Sequence, residues 1–123
     1  MNSDISVVIL NYNGEKHLQN YLSEVVEFSA EAQVVIIDNA STDNSIDYIE
    51  ENHPEIQLIK LKKNLGFAKG YNKGLKFIKS TYYILLNNDV RVTKNWIPPL
   101  IKGLKQNNVA GCQPKILSDR NSS

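Results

Sequence analysis

The sequence predicts an α/β fold in which helices flank one open, mainly parallel sheet. Two observations carry this prediction. Short apolar, β-branched runs alternate along the chain with segments whose apolar residues recur at helical spacing. Three of the apolar runs are almost uninterrupted, as expected for strands that are buried on both faces. Parallel strands joined through helices imply right-handed crossovers and a single sheet.

Four strands are predicted. They are Ser6 to Leu10, Gln33 to Ile37, Ile56 to Leu61 and Tyr82 to Leu86. The third run alternates between apolar and polar residues more than the others do, so we expect it near an edge of the sheet. A final apolar stretch, Val109 to Ile116, could form a fifth strand interrupted at Pro114, and we expect the polar tail after it to fray.

Four helices are predicted from apolar residues that lie three or four positions apart. Their apolar positions fall within Leu18 to Val26, Ile46 to Ile49, Phe67 to Ile78 and Trp96 to Leu104. Side chains that cap helix N-termini precede two of these helices, at Ser41 to Ser45 and at Asn64. Pro98 and Pro99 must lie in the first turn of the last helix, because proline inside a helix removes a hydrogen bond and clashes with the preceding turn.

The length and the charge of the chain limit its class. With 123 residues, of which 41% are hydrophobic, it can form one domain with a substantial core but not two ordinary ones. Fourteen basic and thirteen acidic residues give a net charge of +1, and we expect the basic ones to be scattered apart from the run Lys60 to Lys63. This balance argues against nucleic acid as the main partner.

Cys112 is the only cysteine, and it lies in an apolar stretch, so we expect a buried thiol in a chain made for a reducing compartment. The N-terminus lacks the basic segment that begins a signal peptide, and no apolar run approaches the roughly 18 residues needed to span a bilayer. We therefore expect a cytoplasmic chain with no transmembrane segment.

A short polar segment follows each predicted strand. The four segments are Asn11 to Gly14, Asp38 to Ser41, Asn64 to Gly66 and Asn87 to Asp89. Because the carboxyl ends of parallel strands meet at one edge of the sheet, these segments are expected to converge on one crevice, where open α/β sheets bind ligands. Asn, Asp, Ser and Gly also form ordinary turns and caps, so a purely structural role remains open for each segment.

Two carboxylates in these segments favour a phosphate-containing ligand. Asp38 directly follows a buried strand and needs hydrogen-bond donors, which a ribose or a base could supply. Asp89 is a hard oxygen ligand that suits Mg²⁺ or Mn²⁺ holding a diphosphate, unless it serves as a helix cap. Lys69 could reach a phosphate or be a solvated surface lysine, and Gly66 and Gly70 would let the backbone approach the ligand.

The sequence lacks the residues that several other kinds of binding site and active site require. No Gly-x-Gly-x-x-Gly motif follows the first strand, and no phosphate loop of the nucleoside triphosphatase type is present. No Gly-x-Ser-x-Gly elbow or Cys/His pairing suggests a covalent nucleophile. His17 and His53 have no second ligand at metal spacing, so we expect both on the surface.

In order along the chain, four segments resemble motifs of the family 2 glycosyltransferases, most closely a bacterial branch that includes rhamnosyltransferases. These segments are Ser6 to Asn13, Val34 to Asp43, Asn64 to Asn72 and Leu85 to Val90. The resemblance extends from about Ser6 to Lys115. It implies a GT-A fold and an inverting enzyme that moves a sugar from a nucleoside diphosphate sugar to an acceptor hydroxyl.

The resemblance also assigns roles by position. Tyr12 would lie against the base, Asp38 and Asn39 would contact base or ribose, and Lys69 would lie near the base or the diphosphate. Asn87 to Asp89 would stand where the Asp-x-Asp motif of the family binds ribose and metal, with Asn87 in place of the first aspartate. The predicted substrate-binding residues are Asn11, Tyr12, Asn13, Asp38, Asn39, Gly66, Lys69, Asn87 and Asn88, and the predicted metal ligand is Asp89.

In the family, the catalytic base and the acceptor site lie in a second half after the nucleotide-binding half. We expect residues 1–123 to be the donor-binding half of a longer enzyme, with Mg²⁺ or Mn²⁺ as cofactor and no catalytic base of its own. The expected partners are a UDP- or dTDP-linked sugar and a glycan or lipid-linked acceptor, with peripheral attachment to the inner face of the membrane. A non-catalytic nucleotide-binding or assembly module and a nucleotidyltransferase are the alternatives.

Overall fold

A computed structural model describes residues 4–107. Its four strands are β1 (Ile5–Asn11), β2 (Gln33–Asp38), β3 (Gln57–Lys60) and β4 (Tyr82–Leu86). Its four helices are α1 (Glu15–Glu27), α2 (Ser45–Asn52), α3 (Phe67–Leu75) and α4 (Ile97–Asn107). Strands and helices alternate along the chain, which confirms the predicted α/β class.

The four strands form one parallel sheet in the order β3-β2-β1-β4. The central strands β1 and β2 are the uninterrupted apolar runs, as a sheet covered on both faces requires. The prediction that the third strand lies at an edge is confirmed. No helix within residues 4–107 is both long and apolar enough to cross a bilayer.

Two apolar clusters pack on opposite faces of the sheet because successive strand side chains point to opposite sides. In β1, Val7 and Ile9 contact the cluster formed with α1, α2 and α4, whereas Val8 contacts the cluster beneath α3. The first cluster includes Leu22 of α1, Ile49 of α2 and Ile97 of α4, all of them fully buried. The sheet therefore has helices on both faces.

Several predicted boundaries differ by one to three residues. Both β1 and β2 extend into the polar segments, so that Asn11 and Asp38 are the last residues of their strands. The edge strand β3 is shorter than predicted, and α3 ends at Leu75, although Ile78 stays buried in the turn that follows. Pro98 and Pro99 lie in the first turn of α4, as predicted.

Glycine brings α3 close to the sheet. A Cβ on Gly70 would lie 3.0 Å from Asn39 Nδ2 and 3.1 Å from Leu10 Cδ1, and a Cβ on Gly74 would overlap the side chain of Ile37. Gly70 is therefore required by close packing against the sheet, and its closeness to a ligand stays a prediction. The predicted fifth strand Val109 to Ile116, with Cys112 and Pro114, lies outside the described residues.

Candidate functional site

The ends of three neighbouring strands are joined by side-chain amides. Asn11 and Asp38 are register partners in β1 and β2, and Asn11 Nδ2 donates a 3.0 Å hydrogen bond to Asp38 Oδ1. Asn88, just after β4, donates from Nδ2 to Asn11 Oδ1 at 2.9 Å. The predicted convergence of these segments at one sheet edge is what the structure shows.

Asp38 is completely buried, and its donors come from the protein. In addition to the bond from Asn11, Oδ1 accepts a hydrogen bond from Ser41 Oγ at 2.7 Å and Oδ2 accepts one from Ser41 N at 2.9 Å. A carboxylate offers about four acceptor positions, and three are filled here. The need for donors that the sequence predicted is thus met mainly by Ser41 and Asn11, and direct contact of Asp38 with base or ribose stays a prediction.

Asn39 fixes the turn before α3. Its side chain is 2% exposed, with Nδ2 donating to the Gly66 carbonyl at 3.0 Å and Oδ1 accepting from Leu65 N at 2.9 Å. Gly66 has a φ of 85°, a left-handed conformation that glycine adopts without strain, and a Cβ there would meet open space. Asn39 therefore fixes the loop that leads into α3, the helix that carries Lys69. Contact of Asn39 with a ligand stays a prediction.

The β1–α1 and β2–α2 loops are joined through Asn13. Its Oδ1 accepts hydrogen bonds from Thr42 N at 2.7 Å and Asp43 N at 3.2 Å, and its own N–H donates to Ser41 Oγ at 2.9 Å. The neighbouring Tyr12 side chain is 47% exposed. The loop thus holds an aromatic ring in solvent beside the strand ends, where a planar ligand could stack on it.

One carboxylate, that of Asp43, caps two helices. Its Oδ2 accepts a 3.2 Å hydrogen bond from Glu15 N, the first residue of α1, and its Oδ1 accepts from Ser45 N at 2.9 Å and Ser45 Oγ at 2.6 Å at the start of α2. Desolvation acts to raise the pKa of Asp43, but the hydrogen bonds from Ser45 and Glu15 outweigh it and hold the pKa below its usual value. The predicted capping segment is confirmed, although sequence reasoning missed the second helix that Asp43 serves.

Asn87 to Asp89 form the turn after β4. Asn87 and Asn88 are half-buried, whereas Asp89 is exposed. Within the described part of the chain, no group of three His, Cys, Asp or Glu side chains could hold a metal ion. A single free carboxylate fits Mg²⁺ or Mn²⁺ that takes its other ligands from water and phosphate, and it does not fit a site made wholly of protein ligands.

Lys69 is exposed in the first turn of α3, and its side-chain ammonium group makes no hydrogen bond within residues 4–107. His17 is exposed, as predicted. The prediction that His53 lies on the surface is wrong, because its side chain is only 12% exposed and packs by Tyr48 and Glu55. Neither histidine lies among the side chains at the strand ends.

Tyr71 is a residue that sequence reasoning missed as part of the site. Its hydroxyl accepts a hydrogen bond from Leu10 N and donates one to the Leu86 carbonyl, both at 3.3 Å. Burial raises the pKa of Tyr71 to about 12, although the bond from Leu10 N acts to lower it. In the sequence, Tyr71 is one apolar position of a helix among several, and nothing marks its hydroxyl as a link between two strand ends.

Gly14 leaves space for the hydrogen-bonded side chains of Asn11 and Asn88. A Cβ at this position would lie 2.5 Å from Asn11 Oδ1 and would overlap Asn88 Nδ2. Its φ of −104° is one that any residue can adopt, so the constraint is steric. The glycine is required by close packing of the strand ends.

Sequence comparison finds relatives among sugar-transferring enzymes. A hexosyltransferase of low-salt glycan biosynthesis from Haloferax volcanii, Agl10, is 27% identical over 96% of this chain and 38% of its own length. A poly-beta-1,6-N-acetyl-D-glucosamine synthase from Staphylococcus epidermidis is 29% identical over 84% of this chain and 26% of its own length. The chain therefore spans about a third of the length of the curated relatives it matches.

Solved structures share the fold. The mannosyltransferase PcManGT of Pyrobaculum calidifontis, in complex with GDP-Man and Mn²⁺, superposes with a TM-score of 0.72 over 85% of this chain and 33% of its own, at 20% identity. TarS of S. aureus, in complex with UDP-GlcNAc, gives a TM-score of 0.72 over 85% of this chain and 32% of its own, at 22% identity. Both confirm the GT-A fold.

The family model "Glycosyl transferase family 2" matches residues 6–122, nearly the whole chain. The match includes all four polar segments and all strand residues of the sheet except Ile5. The chain belongs to glycosyltransferase family 2.

Proposed function

We propose that this chain binds the nucleoside diphosphate sugar donor of an inverting glycosyltransferase. The observation that carries the proposal is the pair of hydrogen bonds that links the side chains of Asp38, Asn11 and Asn88. These bonds hold the ends of three strands together at the carboxyl edge of a parallel sheet. Such an edge is where open α/β sheets bind nucleotides. Two fold neighbours, solved in complex with GDP-Man and Mn²⁺ and with UDP-GlcNAc, support a donor of this class.

The exposed side chains of the site would make the direct contacts. Tyr12 would stack on the base, and Lys69 would bind the diphosphate or lie near the base, because both side chains are exposed beside the strand ends. Asn13 and Gly66 would hold the two loops that border the donor. Asn87 would face the ribose from the turn after β4.

The buried side chains would contribute differently. Asp38 has one unfilled acceptor position on Oδ2, which suits a single ribose hydroxyl or base N–H. Asn39, Asn11 and Asn88 would keep the strand ends and the loop before α3 in place, with any ligand contact secondary to their protein bonds. The donor would therefore meet a surface organised before it binds.

Asp89 would hold Mg²⁺ or Mn²⁺, with water and the diphosphate as remaining ligands. Such an ion, when bound, neutralises the charge that develops on the diphosphate as its bond to the sugar breaks. This chain would supply Asp89 to the metal and Lys69 to the phosphates. No carboxylate of the described residues is assigned as catalytic base, so we propose that residues 1–123 alone bind donor without turnover.

The acceptor class and the pathway are part of the proposal. We propose transfer onto a glycan or lipid-linked hydroxyl in cell-surface polysaccharide or lipopolysaccharide synthesis, at the cytoplasmic face of a membrane. The Staphylococcus epidermidis relative, whose name describes synthesis of a polysaccharide, supports this choice. A non-catalytic binding or assembly module is the alternative.

Calorimetric titration of the chain with UDP, dTDP and GDP, each with and without Mn²⁺, tests the proposal. We expect one diphosphate to bind, with affinity that depends on Mn²⁺. An Asp89→Asn variant should lose the metal-dependent part, whereas an Asp47→Asn variant, changed at an exposed acid on α2, should keep it. Failure of all three nucleotides to bind a cooperatively folded sample would contradict the donor-site assignment.

A further inference from the structure

Positive charge is concentrated in one segment of the chain. Seven of the fourteen basic residues and none of the thirteen acidic ones lie between Glu55 and Asp89. The segment comprises β3, α3 and β4, and its basic residues are Lys60, Lys62, Lys63, Lys69, Lys73, Lys76 and Lys79. The prediction of scattered basic residues is therefore wrong for this part, and the small net charge hides a separation of charge.

The fold gathers most of these lysines on one side of the domain. Lys62 and Lys63 follow the edge strand β3, while Lys73 and Lys76 lie three positions apart on and just after the last turn of α3. We call Lys62, Lys63, Lys73, Lys76 and Phe77 the lysine face. Lys62, Lys63, Lys73 and Phe77 line a groove of about 600 Å³ between β3 and α3.

The lysine face is not neutralised by the described residues. Of the seven lysines in the segment, only Lys60 forms an ion pair within residues 4–107, at 3.0 Å from Glu50. Lys62, Lys63, Lys73 and Lys76 are all exposed. A cluster of unpaired cations on one side of an otherwise acidic chain creates a field that attracts a polyanionic surface.

The same face carries apolar groups. Phe77 is 60% exposed, and the groove floor includes Leu61 and Leu65, which are half-buried. Gln57, at the start of β3, donates a hydrogen bond to the Phe77 carbonyl, which places Phe77 near the start of that strand. The lysine face thus extends from there to Lys62 and Lys63, which follow the end of β3 and directly precede the polar segment Asn64 to Gly66.

We propose that the lysine face docks on the surface of an anionic phospholipid bilayer. Lysine side chains attract a negatively charged leaflet without specific geometry, and an exposed aromatic ring enters the headgroup region. All the basic residues of the segment are lysines, which act as point charges, whereas recognition of nucleic acid favours the planar arginine fork. This inference rests on the membrane location proposed above and does not depend on the identity of the sugar donor.

Vesicle binding tests the proposal with two matched triple variants of the 123-residue chain. The test variant changes Lys62, Lys63 and Lys73 to Gln, and the control changes the exposed residues Lys16, Lys94 and Lys102 to Gln. Both variants lose the same charge, and Lys69 stays unchanged in both because it belongs to the proposed donor site. Circular dichroism checks that each variant melts as the unchanged chain does.

We expect the chain to bind vesicles that contain phosphatidylglycerol and not vesicles of phosphatidylcholine alone. The test variant should bind roughly a hundredfold more weakly, since each lysine near the surface contributes about a factor of five, while the control variant should lose little. A Phe77→Ser variant should bind several-fold more weakly even in high salt, where charge attraction is screened.

Three results would overturn the proposal. Equal weakening of the test and control variants would show that net charge, and not this face, attracts the vesicles. Tighter binding of single-stranded RNA than of anionic vesicles, lost in the test variant, would assign the face to nucleic acid instead. Absence of binding to phosphatidylglycerol vesicles by the folded, unchanged chain would also reject it.

Discussion

The hydroxyl of Tyr71 donates a 3.3 Å hydrogen bond to the carbonyl of Leu86, the residue directly before the turn that carries Asp89. The same hydroxyl accepts from Leu10 N, one residue after the last β1–β4 register pair, Ile9 with Leu86. Tyr71 therefore supplies hydrogen bonds where the pairing of β1 with β4 ends. A side chain of α3 in this way holds the strand end that presents the proposed metal ligand.

Tyr71→Phe should destabilise the domain by about 1–2 kcal/mol, because two buried backbone groups lose a partner while the ring packing is kept. It should also weaken metal-dependent nucleotide binding several-fold by loosening the turn after β4. Urea unfolding and calorimetry measure the two effects. Unchanged stability together with unchanged affinity would contradict the linking role of the hydroxyl.

The dependence of the unfolding free energy on alkaline pH gives a second test of the Tyr71 hydroxyl. Its pKa is raised from 10.0 to about 12, so the neutral side chain stabilises the fold fully below pH 10, and this stabilisation is lost as the pH rises toward 12. The difference in unfolding free energy between the unchanged chain and Tyr71→Phe should narrow by about 1 kcal/mol between pH 9 and 11. A constant difference over that range would contradict the buried, neutral hydroxyl.

Asp43→Ala should cost about 1–2 kcal/mol of unfolding free energy, near the upper end for a capping residue, because one carboxylate caps both α1 and α2. Asp47→Ala, which changes an exposed acid in the first turn of α2, is the matched control and should cost only a few tenths of a kcal/mol. Since the pKa of Asp43 is lowered in the fold, its contribution is present above about pH 4 and is lost as the pH falls through the folded-state pKa. Equal costs for the two variants would argue against the double cap.

Two glycine substitutions should act in opposite directions. A Cβ at Gly74 would overlap the fully buried side chain of Ile37, so Gly74→Ala should destabilise the domain by about 1–3 kcal/mol. Gly103, in α4, has open space around its Cβ position, and Gly103→Ala should stabilise by about 0.5–1 kcal/mol because alanine favours helix. Thermal melting of both variants measures the close approach of α3, and a Gly74→Ala variant as stable as the unchanged chain would contradict it.

Gly14→Ala should weaken nucleotide binding more than it weakens the fold. The added methyl group would separate Asn88 from Asn11 and displace the strand ends, while the φ of Gly14 allows alanine. Asn88→Ala removes the same hydrogen bond by a different route, so both variants should show a similar loss of affinity in calorimetry. A Gly14→Ala variant with full affinity would show that the Asn11–Asn88 bond does not support the site.

The sequence predicts the sheet well because strands that are buried in the sheet must consist mainly of apolar residues. Strands covered on both faces must be apolar throughout, whereas the edge strand β3 has exposed Gln57 and Lys60 at its ends and half-buried Leu58 and Ile59 between them. The convergence of polar segments follows from parallel topology alone. Predicted helix starts were accurate at Asp43 and Pro98, where a capping side chain or a proline restricts the backbone. The predicted cap at Asn64 was wrong, because Gly66 is the N-cap of α3 and Asn64 Oδ1 accepts a hydrogen bond from Gly66 N.

The remaining features of the site depend on contacts between residues far apart in the sequence, which no local sequence pattern predicts. Tyr71 looks like any apolar position of α3, and its role requires the ends of β1 and β4 to lie on either side of its hydroxyl. Likewise, the sequence shows that Asp38 needs donors but not that Ser41 and Asn11 supply them. Gly14 resembles a turn residue until the Asn11–Asn88 contact is known.

The most direct test of the donor site is paramagnetic broadening of amide signals by Mn²⁺ in a ¹⁵N-labelled sample saturated with the diphosphate that binds. The proposed site predicts that the signals of Asn88 and Asp89 broaden at the lowest Mn²⁺ concentration, followed by those of Asn11 to Asn13, and that Asp89→Asn abolishes the effect. If Asp47 and Glu51, acidic residues on the surface of α2, broaden first, the metal binds elsewhere and the assignment of Asp89 is wrong.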